Sequence, residues 1–348
     1  FIARGGIKSP SFAFGVAVLM AGLLMASGPA AGQEKRLTVY GSTQEMGVRH
    51  ITEAFTKDTG IKVDWIRMST GETLNRIRAE KSNPHASIWL AGPGTAHMVG
   101  ASEGLLQPYL SPLRAKIARQ YMDDQGLWTG VFLTSFVFTN NPAILKERGL
   151  KEPKSYLDIL APEWKGQIAV ANPTTSGTGH LFVASVMHWL GEEKAFTDYL
   201  KKFHANSFQY PKSGMGPAEM AGRGEIASGI TMFADSYYLM RQGHKFTLTV
   251  PKEGLGFSLE PVSMLKGAPQ PEEAKRFIDW ILSPQGQRGV YGIFPYPTVV
   301  GTNPEGFPKE KVVDLEMPFW KDFDINLVAK QYSAVLNRFQ KEIMFEQK

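Results

Sequence analysis

The chain has 348 residues, 43% hydrophobic and 20% charged, with 35 glycines, 22 prolines and no cysteine. That length accommodates one large or two ordinary domains, and the composition excludes wholesale disorder and collagen-like or low-complexity architecture. Absence of cysteine excludes disulfide scaffolds, cysteine-ligated zinc, Fe–S clusters, thiol nucleophiles and lipidated cysteines, and a formal charge of +5 with no Lys/Arg run is no nucleic-acid footprint.

Arg4 and Lys8 precede a stretch, Ser9 to Gln33, that carries no charge and has an apolar heart from Phe12 to Ala26. A basic start, a run of about 15 apolar residues and the small residues Ala30-Ala31-Gly32 predict a secretory signal peptide over 1–32. The run falls short of the ~20 residues that span a bilayer. With no cysteine to lipidate, the expected mature chain, from about Gln33, is free in the periplasm. Losing the two cations Arg4 and Lys8 lowers its formal charge from +5 to +3.

The mature chain alternates strand and helix. Arg36–Tyr40 reads as a buried strand before Gly41-Ser42-Thr43, and a helix with Ile51 and Phe55 on one face stops at Thr59-Gly60. Ile61–Ile66 is a second strand, Ser69-Thr70-Gly71 opens a helix with Leu74 and Ile77, and Ser87–Leu90 is a third strand. Gln167–Ala171 runs into Asn172–Gly179, followed by an apolar helix Leu181–Leu190 closed by Gly191. Ile226–Phe233 leads into Ala234-Asp235-Ser236-Tyr237-Tyr238. This order predicts an α/β chain on mostly parallel sheets.

Several junctions share one chemistry. Ser42 with Glu45, and Ser69 with Glu72, have capping-box spacing. Thr174–Gly179 combines hydroxyls with glycines that admit backbone N–H groups to a ligand, and Ser213-Gly214 precedes a helix start near Pro217. In an open α/β sheet such junctions gather at the carboxyl ends of the strands. Clustered helix N-termini there make an anion site with little help from Lys or Arg.

Catalytic templates fail. Gly100-Ala101-Ser102-Glu103-Gly104 matches G-x-S-x-G but reads as a helix end, not a strand-to-helix elbow. Thr174–His180 lacks the Gly-Lys-Ser/Thr ending of a P-loop, Phe182 breaks a dinucleotide fingerprint, and no H-E-x-x-H exists. His180 and His188 read as core or surface residues rather than a metal pair. Glu192-Glu193, Glu272-Glu273 and Asp123-Asp124 read as solvated pairs, so the chain is expected not to be an enzyme.

The chain resembles the periplasmic solute-binding proteins of ABC importers, in the branch of ferric-ion, phosphonate and organophosphate binders. The resemblance is carried by Arg67–Glu72, Ala79–Pro84, Pro162–Gly166, Asn172–Gly179, Tyr210–Gly214, Ala274–Gln287 and Pro297-Thr298, in order over nearly the whole mature chain. It implies a type II fold of two α/β lobes joined by two hinge strands, closing like a Venus flytrap on a ligand between them. Val131–Thr139 and Glu260–Leu265 are the expected crossing strands. Lobe 1 would be 33–133 with 264–348, and lobe 2 134–263. The implied partner is a membrane permease, and the implied working form is a monomer that binds no nucleic acid.

For phosphonate- and organophosphate-binding members the resemblance points to Ser42, Thr43, Ser69, Thr70, Gly71, Thr175, Ser176, Gly177 and Thr178. Ser213, Asp235 and Tyr237 would meet the rest of the ligand, with Asp235 suited to an amine. No cofactor is implied in that case. The alternative is Fe³⁺ held by Tyr237 and Tyr238 with a synergistic anion, since adjacent tyrosines match the ferric-binding members. The family's usual histidine and carboxylate ligands are replaced around Thr43-Gln44-Glu45 and Gly92-Pro93-Gly94. A secreted phosphate-ester hydrolase is the third reading.

Overall fold

The computed structural model describes residues 35–117, 119–291 and 318–345. The expected signal peptide and Pro297-Thr298 lie outside these residues. Among the described residues no helix is long and apolar enough to cross a membrane.

The chain builds two sheets. The first begins with β1 (Arg36–Gly41), α1 (Glu45–Thr59), β2 (Lys62–Arg67), α2 (Thr70–Ala79) and β3 (Ile88–Leu90), the three strands running parallel. α1 ends where Gly60 enters the left-handed region at φ 72° and returns its N–H to the Thr56 carbonyl, the conformation glycine adopts without a Cβ penalty. On β2, Lys62, Asp64 and Ile66 face solvent while Val63, Trp65 and Arg67 turn inward, the alternation of a strand with one wet face. α3 (Gly94–Ser102), β4 (Leu106–Gln107) and β5 (Thr129–Thr134) follow. Glu103 and Gly104 end α3, so the G-x-S-x-G match is a helix terminus as expected.

The second sheet holds β6 (Phe136–Asn140), β7 (Ile168–Val170), β8 (Ser228–Met232) and β9 (Thr247–Thr249) in the order β7-β8-β6-β9. Its helices are α4 (Pro142–Arg148), α5 (Gly177–Leu190), α6 (Glu192–Lys194), α7 (Leu200–Asn206), α8 (Gly216–Gly222) and α9 (Phe233–Arg241). α5 starts four residues earlier than its apolar run predicts. Gly177-Thr178-Gly179 makes a poor helix interior but an adequate first turn. A Cβ on Gly179 would lie 2.1 Å from the Ala171 carbonyl, so only glycine lets the helix start this close to the end of β7.

β10 (Ser258–Leu265) returns to the first sheet, antiparallel to β3, β4 and β5. α10 (Pro271–Leu282), α11 (Pro284–Tyr291) and α12 (Ile325–Phe339) complete the described chain. The expected crossing strand 131–139 is two strands that part at Ser135, one in each sheet. The return crossing falls at 250–257, ahead of β10, all of whose pairs lie in the first sheet. Pro251 and Gly254, the latter at φ 115°, keep that passage out of a ladder.

Each sheet carries its own core. Leu37, Val39, Phe55, Phe277 and Trp280 pack in the first, and Phe136, Phe138, Tyr156, Phe182 and Phe203 in the second. α12 serves both: Tyr332 packs with Trp89 and Leu106, whereas Val335 and Phe339 pack with the Phe182 cluster. Glu192 and Glu193 are exposed, as expected, and also hold the Arg338 guanidinium of α12 at 3.1 and 2.9 Å.

Candidate functional site

The carboxyl ends of β1, β2, β7 and β8 open onto one cavity between the lobes. After β1 it is lined by Ser42, Thr43 and Gln44, and at the end of β2 by Arg67, Ser69 and Thr70. The second lobe contributes Ser176, Gly177, Thr178 and Gly214. Asp235, in the first turn of α9, and Glu260 on β10 add two carboxyl groups. The starts of four helices, α1, α2, α5 and α9, therefore converge on one space. Their unpaired N–H groups and partial positive charge favour an anion there.

Local hydrogen bonds set each group. Ser69 forms the predicted capping box with Glu72, which accepts from the Ser69 N–H at 3.2 Å. Ser42 does not cap α1. The N-cap is Gln44, and Ser42 Oγ donates to Thr73 Oγ1 and accepts from Trp89 Nε1, both at 2.9 Å. The buried indole N–H outcompetes a helix end for that oxygen, because it has no other route to a partner. Thr43 donates its hydroxyl to Gln44 Oε1. Gln44 Nε2 is left buried without a hydrogen-bond partner, an unusual and costly state for a native side chain. Arg67 donates from Nε to the Thr43 carbonyl at 3.0 Å, which uses one of its five N–H donors.

The carboxyl groups are of a different character. Burial pushes Asp235 up to about 7, against the pull of the Arg67 charge and with a further push from Glu219. Glu260 is likewise raised to about 7 by burial and by Asp235, although Ser258 and the Gly92 N–H bond it and pull it down. Ser258 Oγ donates to Glu260 Oε1 at 2.6 Å. The cavity thus combines a set of donors with two carboxyls poised near neutrality, Asp235 standing close enough to Arg67 to feel its charge.

Of the residues singled out from the sequence, Ser42, Thr43, Ser69, Thr70, Ser176, Gly177, Thr178 and Asp235 line this cavity together. Gly71, Thr175, Ser213 and Tyr237 do not. The Gly71 N–H donates to the Thr175 carbonyl at 3.2 Å, so these two join the lobes beside the cavity. Lys212 and Glu72 form an ion pair at the same seam. Ser213 is turned to its own chain, accepting from the Met215 N–H at 3.4 Å, while its neighbour Gly214 lines the space. Tyr237 lies parallel to Phe233 at 6.1 Å, and Tyr238 accepts from Gln242 Nε2 at 2.5 Å. Successive positions on a helix point about 100° apart, and neither phenol lines the cavity.

Among the lining residues missed, three carry a charge or an amide: Arg67, Glu260 and Gln44. Arg67 had a readable signal, a charge at an inward position of an alternating strand. Glu260 was also legible, as the one charge inside the run Leu259–Leu265. Gln44 had none, since its significance is the partner it lacks.

A family model for bacterial extracellular solute-binding proteins matches residues 95–325. The periplasmic binding protein AfuA of Actinobacillus pleuropneumoniae, solved with exogenous fructose-6-phosphate bound, is 31% identical. The match covers 90% of this chain and 100% of that one, with a TM-score of 0.82. The Fe(3+)-binding periplasmic protein of Serratia marcescens is 30% identical over 315 residues, 87% of this chain and 90% of the relative. A putative 2-aminoethylphosphonate-binding periplasmic protein of Salmonella typhimurium is 24% identical over 83% of this chain and 85% of the relative. Two α/β lobes around a cleft, a full-length match of that quality and the family model agree: this chain belongs to the bacterial extracellular solute-binding proteins, with the type II periplasmic-binding fold.

Proposed function

We propose that the chain is a periplasmic, non-enzymatic capture protein for a small organophosphate or phosphonate-like anion, which it delivers to the permease of an ABC importer. The observation that carries this reading is the mixed lining of the cavity, donors for an oxyanion together with two carboxyls. Gln44 Nε2, buried and unpartnered, stands with Arg67 and the starts of α2 and α5 as donors for an oxyanion. Asp235 and Glu260 supply acceptors for the rest of the molecule. Inorganic phosphate alone would set an anion beside two buried carboxyls and add little to the bonds that Ser258 and the Gly92 N–H give Glu260. A sugar hydroxyl or an ammonium relieves that cost. The fructose-6-phosphate held by AfuA and the aminophosphonate named for the Salmonella relative are both molecules of this kind.

The lobes we propose are 33–133 with 264–348, and 134–263. The placement of β1–β5 in one sheet and β6–β9 in the other supports the first boundary, while β10 in the first sheet draws the return boundary back from 263/264 to the 250–257 passage. The working form we propose is a monomer. The hydrolase reading has little to support it, because no histidine is among the cavity's lining residues and the Ser42 hydroxyl is engaged by Thr73 and Trp89.

Thermal unfolding and calorimetry with fructose-6-phosphate, 2-aminoethylphosphonate, inorganic phosphate and Fe³⁺ test the reading. Stabilisation by an organophosphate or aminophosphonate beyond that given by inorganic phosphate is expected. Failure of every oxyanion, with a visible absorbance on adding Fe³⁺ that Tyr237→Phe removes, would select the ferric alternative suggested by the Serratia relative.

A further inference from the structure

A second cavity, of about 230 Å³, lies between α5 and α12 and shares no lining residue with the cleft. His180 and His188, eight apart on α5, both line it. His180 is 2% exposed, and its Nε2 is buried without a hydrogen-bond partner. A native protein seldom leaves such an atom unpaired, because an unmet buried polar group costs about 1–3 kcal/mol. Burial holds this imidazole down to about 4, so it is neutral at physiological pH and has a lone pair to offer.

The charges lining the cavity are of one sign. Glu192, Asp322 and Asp324 face it, and no Lys or Arg does. Their existing bonds do not exhaust them. Asp324 accepts two N–H bonds on Oδ1 as the N-cap of α12, and Asp322 Oδ1 stands 3.4 Å from His188 Nε2. Glu192 gives one oxygen to Arg338. Apart from the amide of Gln331 the remaining wall is apolar, with Met187, Phe323 and Val335. Among the described residues no three His, Asp or Glu side chains are arranged to hold a metal ion, so a compact inorganic cation finds no cage here. A void of about 150 Å³ suffices for a benzene ring, and this one exceeds it.

We infer that this cavity is a second ligand site, built for a small organic ammonium with an apolar body. The ammonium has three N–H donors for His180 Nε2 and the free carboxylate oxygens, and its hydrocarbon part packs on the Phe323 and Val335 wall. The position gives the site reach. α5 carries Ser176 as its N-cap and Thr178 in its first turn, both in the main cleft. Tyr332 of α12 packs on the His180 ring at 4.4 Å and belongs to the Trp89 cluster of the first lobe. An ammonium bound here touches the helix that begins at the cleft and the helix that joins both cores.

Calorimetric titration of the mature full chain with benzylammonium, benzyl alcohol and benzoate tests the inference. Saturable binding of benzylammonium at a Kd below about 1 mM is expected, with the alcohol and the carboxylate each at least about tenfold weaker. Asp322→Asn with Asp324→Asn keeps the N-cap, since asparagine caps as well as aspartate, and should weaken benzylammonium about tenfold or more. Ala184→Leu, which fills the cavity from α5, should abolish binding. The surface pair of amides is expected to fold whatever happens to the α5 variant, and thermal unfolding checks both. Absence of saturation, equal affinity for benzoate or benzyl alcohol, or an unchanged affinity in the Asn pair overturns the inference.

Discussion

The Gly71 amide at the start of α2 donates to the Thr175 carbonyl ahead of α5, 3.2 Å away, and so joins one lobe to the other. A Cβ at Gly71 would lie 2.7 Å from the Thr174 carbonyl and 3.2 Å from the Thr175 Cα. Those are backbone atoms, which cannot swing aside like a side chain. Gly71→Ala is therefore expected to hold the lobes apart at this seam. The ligand affinity should fall about tenfold, which corresponds to ~1.4 kcal/mol. The melting temperature without ligand should barely move, because the substituted residue sits at a contact between lobes rather than within a core. Calorimetry and thermal unfolding on the same sample separate the two effects.

Arg67 and Gln44 should separate by what each does without ligand. Charge-assisted hydrogen bonds are worth about 1.5–3 kcal/mol, so Arg67→Gln is expected to weaken an organophosphate by roughly 10- to 100-fold. Lysine at 67 should recover little, because a point charge cannot keep the bond to Thr43 and also reach the ligand as a guanidinium fork does. Gln44→Leu should also lose affinity. Its melting temperature without ligand should rise, because the substitution removes a buried donor that has no partner in the protein. A Gln44→Leu protein less stable than wild type would show that the amide is satisfied by other means.

The buried carboxyls give a pH dependence with a definite sign. Asp235 and Glu260 have folded values near 7, above the ordinary range of carboxylates in an unfolded chain. The folded state then binds protons that the unfolded state has released. Their contribution is fully present below about pH 4 and is lost as pH rises through about 7. His97 runs the other way: burial lowers it to about 3, so acid costs stability as pH falls from about 6.5 toward 3. The two windows overlap, so the wild-type curve alone does not separate them. In Asp235→Asn with Glu260→Gln, the gain in melting temperature over wild type should grow between about pH 4 and 7 and level off above. A constant difference across that range would mean that neither carboxyl is raised.

The fold was legible because its signals are local. Alternation on β2, the Ser69–Glu72 box and the Gly60 stop each follow from a few neighbouring residues, and the structure places them where their chemistry requires. The site was half legible. Ser/Thr/Gly junctions mark strand ends, and seven candidates of those residue types meet in one cavity, with Asp235. What was missed depends on residues far apart in sequence. Ser42 belongs to Trp89 rather than to its own helix, and Gly71 answers to Thr175 instead of a ligand. The Glu192-Glu193 pair is exposed, as its sequence suggests, but its partner Arg338 arrives on α12, more than 130 residues on. No short-range pattern encodes a contact of that kind.

Arg338 offers the last test, on the attachment of α12. Its guanidinium meets Glu192 at 3.1 Å, Glu193 at 2.9 Å and Glu342 at 2.8 Å, and lies over the Phe196 ring at 4.5 Å. The side chain is only 20% exposed, so salt screens the cluster less than it would an open surface pair. Removing the cation leaves three carboxylates facing one another and strips a packing surface from Phe196. Arg338→Ala is expected to cost about 1–3 kcal/mol, seen as a drop of a few degrees in melting temperature that persists at high salt. Lysine should recover only part, since it keeps the charge but neither the fork nor the flat face over the ring. Adding Glu192→Gln and Glu193→Gln to Arg338→Ala should restore some of the loss by removing the like charges. If that triple variant is no more stable than Arg338→Ala, the contribution of Arg338 is packing on Phe196 and not charge.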